Sequence, residues 1–255
     1  MHIEVRGSGP ALVLVHGWAM HGGVFAPLLE RLQSHYTLHV VDLPGHGHSE
    51  ASRLPLELDA VAEQIAGRVP RALWLGWSMG GLFALHAAHR FAAAVRGLLM
   101  VCASPCFVRR ADWPLGMEPD VFRGFARDQA LDQRATIERF LCLQAQGSAR
   151  AQAQLQQLRA QAFLHGEPSP RHLREGLELL QHSDLRNYLP GLRLPSLWLA
   201  GRRDRLVSPA AMEWAAQQSP SGAYQRLEHA GHVPFLSHAD EVAAAVTDFA
   251  AALPA

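Results

Sequence analysis

A serine stands between glycines in Gly76-Trp77-Ser78-Met79-Gly80. This G-x-S-x-G pentapeptide joins an apolar run to a helical pattern, which is the setting of a nucleophile elbow. Such a turn forces strained backbone angles on the serine and leaves no room for side chains two residues to either side. A serine hydroxyl is a weak nucleophile until a base takes its proton. The chain order serine, acid, histidine then directs the search. The stretch "LWLAGRRDRLVSP" supplies Asp204, three residues past Gly201. Asp42 precedes the serine, Asp184 falls within the helical insertion of residues 109–186 and Asp248 lies in the last helix after the histidines, so Asp204 is the acid of choice. "YQRLEHAGHVPF" offers His229 and His232, and His232 has the better position, with Gly231 before it and the last helix shortly after. A single histidine among 15 says little. Ser78, Asp204 and His232 in this order, each at the end of an expected strand, specify acyl transfer: Asp204 orients the imidazole, and His232 serves first as base and then as acid. The developing oxyanion needs two donors. The backbone N–H of Met79 is one, and that of Trp18, after the early run "LVLVHGWAM", is the other. His16 is expected to brace that loop rather than to react.

These residues need a scaffold that brings strand ends together. Apolar runs at Ala11–Val15, Thr37–Asp42, Ala72–Gly76, Gly97–Cys102, Ser196–Ala200 and Tyr224–Glu228 read as strands. Several are continuous rather than alternating, as in strands covered on both faces. Helical patterns lie between them at 24–34, 56–67, 79–89, 209–217 and 240–253. Ser208-Pro209 marks one helix start, and Ser237-x-x-Asp240 reads as a capping box before the last helix. The alternation predicts an α/β fold with a mostly parallel sheet and helices on both faces. Residues 109–186 break the rhythm. "PDVFRGFARDQ", "QRATIERFLCLQAQ", "ARAQAQLQQLRAQAFL" and "SPRHLREGLELLQ" read as four helices, a cap inserted before the last two strands, over the sheet edge where such folds bind ligands. The expected organisation is a core of 1–108 and 187–255 with a helical cap of 109–186.

Composition narrows the class. The formal net charge is zero, which gives no footprint for nucleic acid. No apolar run of membrane-spanning length occurs, and the N-terminus lacks a signal-peptide pattern, so a cytoplasmic location is expected. The three cysteines, Cys102, Cys106 and Cys142, are expected to be reduced thiols, since they form no disulfide framework and lack zinc-site spacing. "DLPGHGHSE" lacks the lysine and spacing of a phosphate loop, and there is no H-E-x-x-H. No metal and no cofactor are expected. The chain contains no lysine, and all 23 of its basic Lys/Arg-type residues are arginine.

The motifs H-G-W, D-L-P-G-x-G-x-S, G-W-S-x-G-G, G-x-x-D-x-L-V and G-H-x-P-F resemble those of the α/β-hydrolase superfamily. "LHVVDLPGHGHS", "LWLGWSMGGL", "CASPCF", "DWP", "ERFLCLQAQG" and "GLELLQHSDLR" resemble, more narrowly, the pimeloyl-[acyl-carrier protein] methyl ester esterase family of biotin synthesis, through the cap as well as the core. The resemblance implies hydrolysis of the methyl ester of pimeloyl-acyl carrier protein. It puts Ser78, Asp204 and His232 on the triad positions, and Trp18 and Met79 on the oxyanion and pocket positions. Met79 stands where leucine is expected. The resemblance also puts Phe140 and Gln144 on the segment lining the acyl channel, and implies that cap arginines meet the acidic carrier protein. Arg139 matches such a position; Arg134, Arg150 and Arg159 lie near others without matching register. A monomer is expected. A general carboxylesterase or lactonase acting on small free esters would share every catalytic residue, and a non-catalytic receptor on the same fold would share the shape.

Overall fold

The computed structural model describes residues 1–148 and 150–253. Seven strands form one sheet: β1 (His2–Arg6), β2 (Ala11–Val15), β3 (Thr37–Asp42), β4 (Ala72–Trp77), β5 (Val95–Val101), β6 (Ser196–Gly201) and β7 (Gly222–Leu227). Their order is β1-β3-β2-β4-β5-β6-β7. β1 runs antiparallel to β3, and all other neighbours are parallel. The central strands explain the unbroken apolar runs: every residue of β4 and β6 is buried. The edges differ. β1 and β7 carry exposed polar residues, as edge strands do. β1 is the one strand that no apolar run announces, because three of its five side chains are polar.

The core helices are α1 (Ala26–Leu32), α2 (Leu58–Ala66), α3 (Gly80–Arg90), α8 (Pro209–Gln218), α9 (Pro234–Ser237) and α10 (Ala239–Ala251). Four more, α4 (Pro119–Leu131), α5 (Gln133–Ala145), α6 (Ala151–Ala162) and α7 (Pro170–His182), lie between β5 and β6. They match the four helical stretches expected there; Ala149, where the third stretch begins, lies outside the described residues. The start of the last helix differs from expectation. His238, not Ser237, occupies the cap position of α10, and no side-chain capping bond forms. Ser237 instead ends α9, and its hydroxyl pairs with the His238 ring at 2.7 Å. The Pro-Phe pair of "HVPF" starts a separate short helix at Pro234, so the chain turns before Asp240 could cap anything.

Strand order creates a crevice at the centre of the sheet. Between β2 and β4 the sheet changes direction of build: β3 and β1 lie on one side, β5 to β7 on the other. Loops leaving β2 and β4 diverge there, and open α/β sheets bind ligands at that crevice. Val15, the last residue of β2, pairs with Gly76 at the end of β4.

Candidate active site

The turn after β4 puts Ser78 at φ 53°, left-handed backbone on a residue with a Cβ. The flanking glycines make the turn possible, though for a reason beyond mutual collision. A Cβ on Gly76 would lie 2.5 Å from the Gly80 carbonyl oxygen, and one on Gly80 would lie 2.1 Å from the Val15 oxygen of β2. The elbow is thus squeezed against its own helix and against the neighbouring strand, and α3 begins immediately after it.

The expected trio converges. Ser78 Oγ–H donates to His232 Nε2 at 3.0 Å, and His232 Nδ1–H donates to Asp204 Oδ2 at 2.8 Å. The other carboxylate oxygen, Oδ1, accepts the backbone N–H groups of Leu206 at 2.8 Å and Val207 at 3.0 Å. Both acceptors of Asp204 are therefore committed, and the histidine tautomer is fixed with its free lone pair toward the serine. The Trp77 indole N–H holds the backbone of His232 from beneath, donating to its carbonyl at 2.8 Å. His229 lies outside this constellation: it is exposed, and its ring faces the Arg203 guanidinium at 3.5 Å.

The loop after β2 lies against the serine: a Cβ on Gly17 would sit 3.1 Å from the Ser78 Cβ. His16 braces this loop. Its Nδ1–H donates to the Gly17 carbonyl at 2.8 Å, and its Nε2 accepts the Leu43 N–H at 2.9 Å. Burial pushes its pKa down to about 3, so the ring stays neutral and structural. Asp42, at the end of β3, ties the next loop by accepting the Gly22 N–H at 2.7 Å and the His48 N–H at 2.9 Å. Among the described residues the amides of Trp18 and Met79 donate to no backbone acceptor. Two free N–H groups beside an activated serine are what an oxyanion requires.

The inserted helices close the site. The Trp18 indole N–H donates to the Leu173 carbonyl of α7 at 2.8 Å, and its ring meets Phe140 of α5 edge-on at 4.8 Å. A Cβ on Gly176 of α7 would lie 2.7 Å from Trp18 Cδ1 and 3.1 Å from Met79 Sδ. Only a glycine lets α7 rest on both residues. Gln144 is fully buried, and among the described residues neither its side-chain oxygen nor its nitrogen has a partner. An unpaired buried amide is costly, so a partner is expected from outside the chain. Ser78 itself is only 3% exposed. Sequence reasoning missed Gly176 and Leu173. A glycine in the middle of a predicted helix, "REGLELL", was the available signal.

The cap arginines are dispersed. Arg134 pairs with Glu167 at 3.0 Å, Arg139 with Asp128 at 2.6 Å and Arg159 with Glu138 at 2.6 Å. Arg150 is exposed and forms no ion pair among the described residues.

The profile of the alpha/beta hydrolase fold family matches residues 10–239. The chain belongs to the α/β-hydrolase family. Relatives cover its full length. It is 56% identical, over 99% of this chain and 97% of the relative, to the pimeloyl-[acyl-carrier protein] methyl ester esterase of Stenotrophomonas maltophilia. It is 53% identical, over 100% of both, to the protein of the same name from Xanthomonas oryzae pv. oryzae. Within the α/β hydrolases it thus groups with these esterases. Solved structures share the fold at greater distance. An enol-lactonase from Burkholderia xenovorans superposes with TM-score 0.85 at 22% identity, over 98% of this chain and 96% of that one. A bromoperoxidase from Bacillus anthracis gives TM-score 0.88 at 20% identity, over 97% and 94%.

Proposed function

We propose that this chain is a serine esterase that hydrolyses the methyl ester of pimeloyl-acyl carrier protein, releasing methanol and a free distal carboxylate for biotin synthesis. The observation that carries the chemistry is the relay Ser78–His232–Asp204, held at 3.0 and 2.8 Å. The substrate rests on the relatives' name and on their identity through the cap.

Ser78 Oγ attacks the ester carbonyl while His232 takes its proton. The N–H groups of Trp18 and Met79 receive the oxyanion. His232 then protonates the departing methoxide, and the acyl group remains on Ser78. Water, deprotonated by His232, attacks in turn, and Ser78 leaves with the proton. Asp204 stays ionised throughout and stabilises the imidazolium. Such donors are each worth ~2.7–4 kcal/mol of barrier. Residues 109–186 form a lid: its helices bury Ser78, so the acyl chain enters as α5 and α7 give way, passing Phe140 and reaching the unpaired amide of Gln144. The acidic carrier protein docks on the lid's arginines. Arg150 offers an uncommitted guanidinium, while Arg134, Arg139 and Arg159 exchange intramolecular carboxylates for those of the partner. Exposed pairs are worth only ~0–1 kcal/mol each, so the exchange costs little. No helix among the described residues is long and apolar enough to cross a membrane. The enzyme acts as a cytoplasmic monomer without cofactor, metal or nucleic acid.

The test is genetic and kinetic together. Expression in a biotin auxotroph lacking its methyl ester esterase should restore growth without biotin. Reversal of Arg139 and Arg150 to Glu should spare a short nitrophenyl ester and raise KM for the carrier-bound ester. Failure to restore growth, or equal losses on both substrates, would count against the carrier-bound reading.

A further inference from the structure

Cys102 follows β5 directly and holds a left-handed backbone, φ 44°. Its side chain reaches the triad from behind. The thiol points toward the Gly231 carbonyl at 3.6 Å, next to His232. One ligand atom each from Cys102, Asp204 and His232 lies within 4.8 Å of the others, and all three residues are buried. We propose that Cys102, Asp204 and His232 form a binding site for a thiophilic divalent cation, Zn²⁺ or Cd²⁺, whose occupation switches the enzyme off.

The donor set fits. Sulfur, imidazole nitrogen and carboxylate oxygen are the ligands zinc takes, at ~2.0–2.3 Å, which puts neighbouring ligands of a tetrahedron about 3.4–3.8 Å apart. The Cys102 sulfur needs to draw in by up to roughly an ångström, while His232 Nδ1 and Asp204 Oδ2, 2.8 Å apart in their hydrogen bond, open by about half an ångström to admit the ion. Charge fits as well. A dication with one thiolate and one carboxylate is neutral, which is the tolerable state for a buried cluster. Without metal the thiol is inert: burial, and then the Asp204 charge, push its pKa well above the ordinary value. A bound cation reverses that balance and deprotonates the thiol.

The exchange balances without redox chemistry. The Cys102 S–H bond breaks, its proton goes to solvent, and a metal–sulfur bond forms. Asp204 Oδ2 trades its hydrogen bond from His232 for the metal. The proton on His232 Nδ1 moves to Nε2, freeing Nδ1 as the third ligand. With Nε2 protonated, the ring cannot accept the Ser78 proton, and attack stops. A 340 Å³ surface cavity lined by Gly147, Arg202, Arg203, Asp204 and Arg205 opens over the backbone of Asp204, whose carboxylate is itself buried behind it. Its guanidinium rim repels cations, so inhibition should develop slowly. The sequence hid this site because its ligands come from the ends of three separate strands, and the spacing of Cys102 and Cys106 pointed away from zinc.

Inhibition rests on the esterase reading, whereas metal binding does not, and the test separates them. Cadmium chloride is titrated into tag-free enzyme after chelator treatment. The ultraviolet Cd–thiolate band and hydrolysis of a nitrophenyl ester are followed together, each variant against its own metal-free rate. Wild type should gain one band per chain in step with slow loss of activity, reversed by EDTA. Cys102→Ala should lose the band and require on the order of 100-fold more metal for inhibition; Cys102→Ser, the gentler change, should behave alike. A Cys106→Ala/Cys142→Ala double variant should keep both responses. An undiminished band in the Cys102 variants, or inhibition of all variants at one concentration, would overturn the proposal. A wild type that shows the band but has no esterase activity would leave the site standing and refute the esterase reading instead.

Discussion

Gly176→Ala is a one-carbon change on α7 with two opposed effects. In an open helix interior, alanine in place of glycine gains about 0.8–1 kcal/mol of propensity. Here the added carbon would arrive 2.7 Å from Trp18 Cδ1 and 3.1 Å from Met79 Sδ. Trp18 has no easy escape, since its indole donates to Leu173 on the same helix and its ring abuts Phe140. Overpacking of this kind costs about 1–3 kcal/mol, so the net effect is a loss of roughly 0–2 kcal/mol. The kinetic effect should be larger. Trp18 and Met79 carry the two proposed oxyanion donors, and a displacement of about 1 Å in such groups can cost ~100-fold. A fall of about 10- to 100-fold in kcat on a short nitrophenyl ester is expected. Gly124→Ala is the control. Gly124 lies inside α4 with nothing within 4 Å of an added Cβ, so it should gain roughly 0.5–1 kcal/mol and leave kcat unchanged. Urea denaturation and steady-state kinetics on both variants decide the matter. If Gly176→Ala stabilises the chain like Gly124→Ala and keeps wild-type kcat, the contact of α7 with the oxyanion loop does not shape catalysis.

Asp204→Asn should retain most of the stability but lose about 10⁴-fold in kcat, because an amide cannot both accept from Leu206 and Val207 and hold His232 in the right tautomer; a loss under about tenfold on a nitrophenyl ester would speak against the acid assignment. Gln144→Met should stabilise the resting fold by about 1 kcal/mol or more, by removing an unpaired buried amide, and should raise KM for the carrier-bound ester; urea midpoints and KM measured together test both halves. His16 and His46 are buried with pKa values pushed down to about 3 by burial, against 6.5 when exposed. The unfolded chain therefore binds more protons between these values, so stability is full above pH 6.5 and falls as pH drops toward 3. Each histidine should cost about 2 kcal/mol at pH 5, visible as a shift in urea midpoint between pH 7 and pH 5, and a flat profile would refute the assignment.

Much of the site was legible because each part of the triad sits where a strand ends, and buried parallel strands announce themselves as apolar runs. Ser78, Asp204 and His232 could be found one by one on that basis. β1 was not legible: His-Ile-Glu-Val-Arg alternates, but it is short and charged, as an edge strand can be. The capping box at Ser237 failed because Pro234 starts a helix of its own, a choice that tertiary packing of Phe235 against Phe25 and Trp77 supports. The cap's four helices could be read from composition, but not which face of each meets the core. Gly176 on Trp18 is a contact between residues more than 150 positions apart, and only the fold brings them together. The same holds for Cys102, whose neighbours are set by strand order rather than by spacing.

Cleavage of the methyl ester of a carrier-bound pimeloyl chain by Ser78 can be measured without a surrogate substrate. Methyl-pimeloyl-acyl carrier protein is incubated with the purified enzyme and followed by intact-mass analysis. Wild type should convert it to the demethylated acid with release of methanol, and Ser78→Ala should leave it methylated over the same interval. Demethylation at a wild-type rate by Ser78→Ala, or an untouched substrate with the wild-type enzyme, would contradict the assignment.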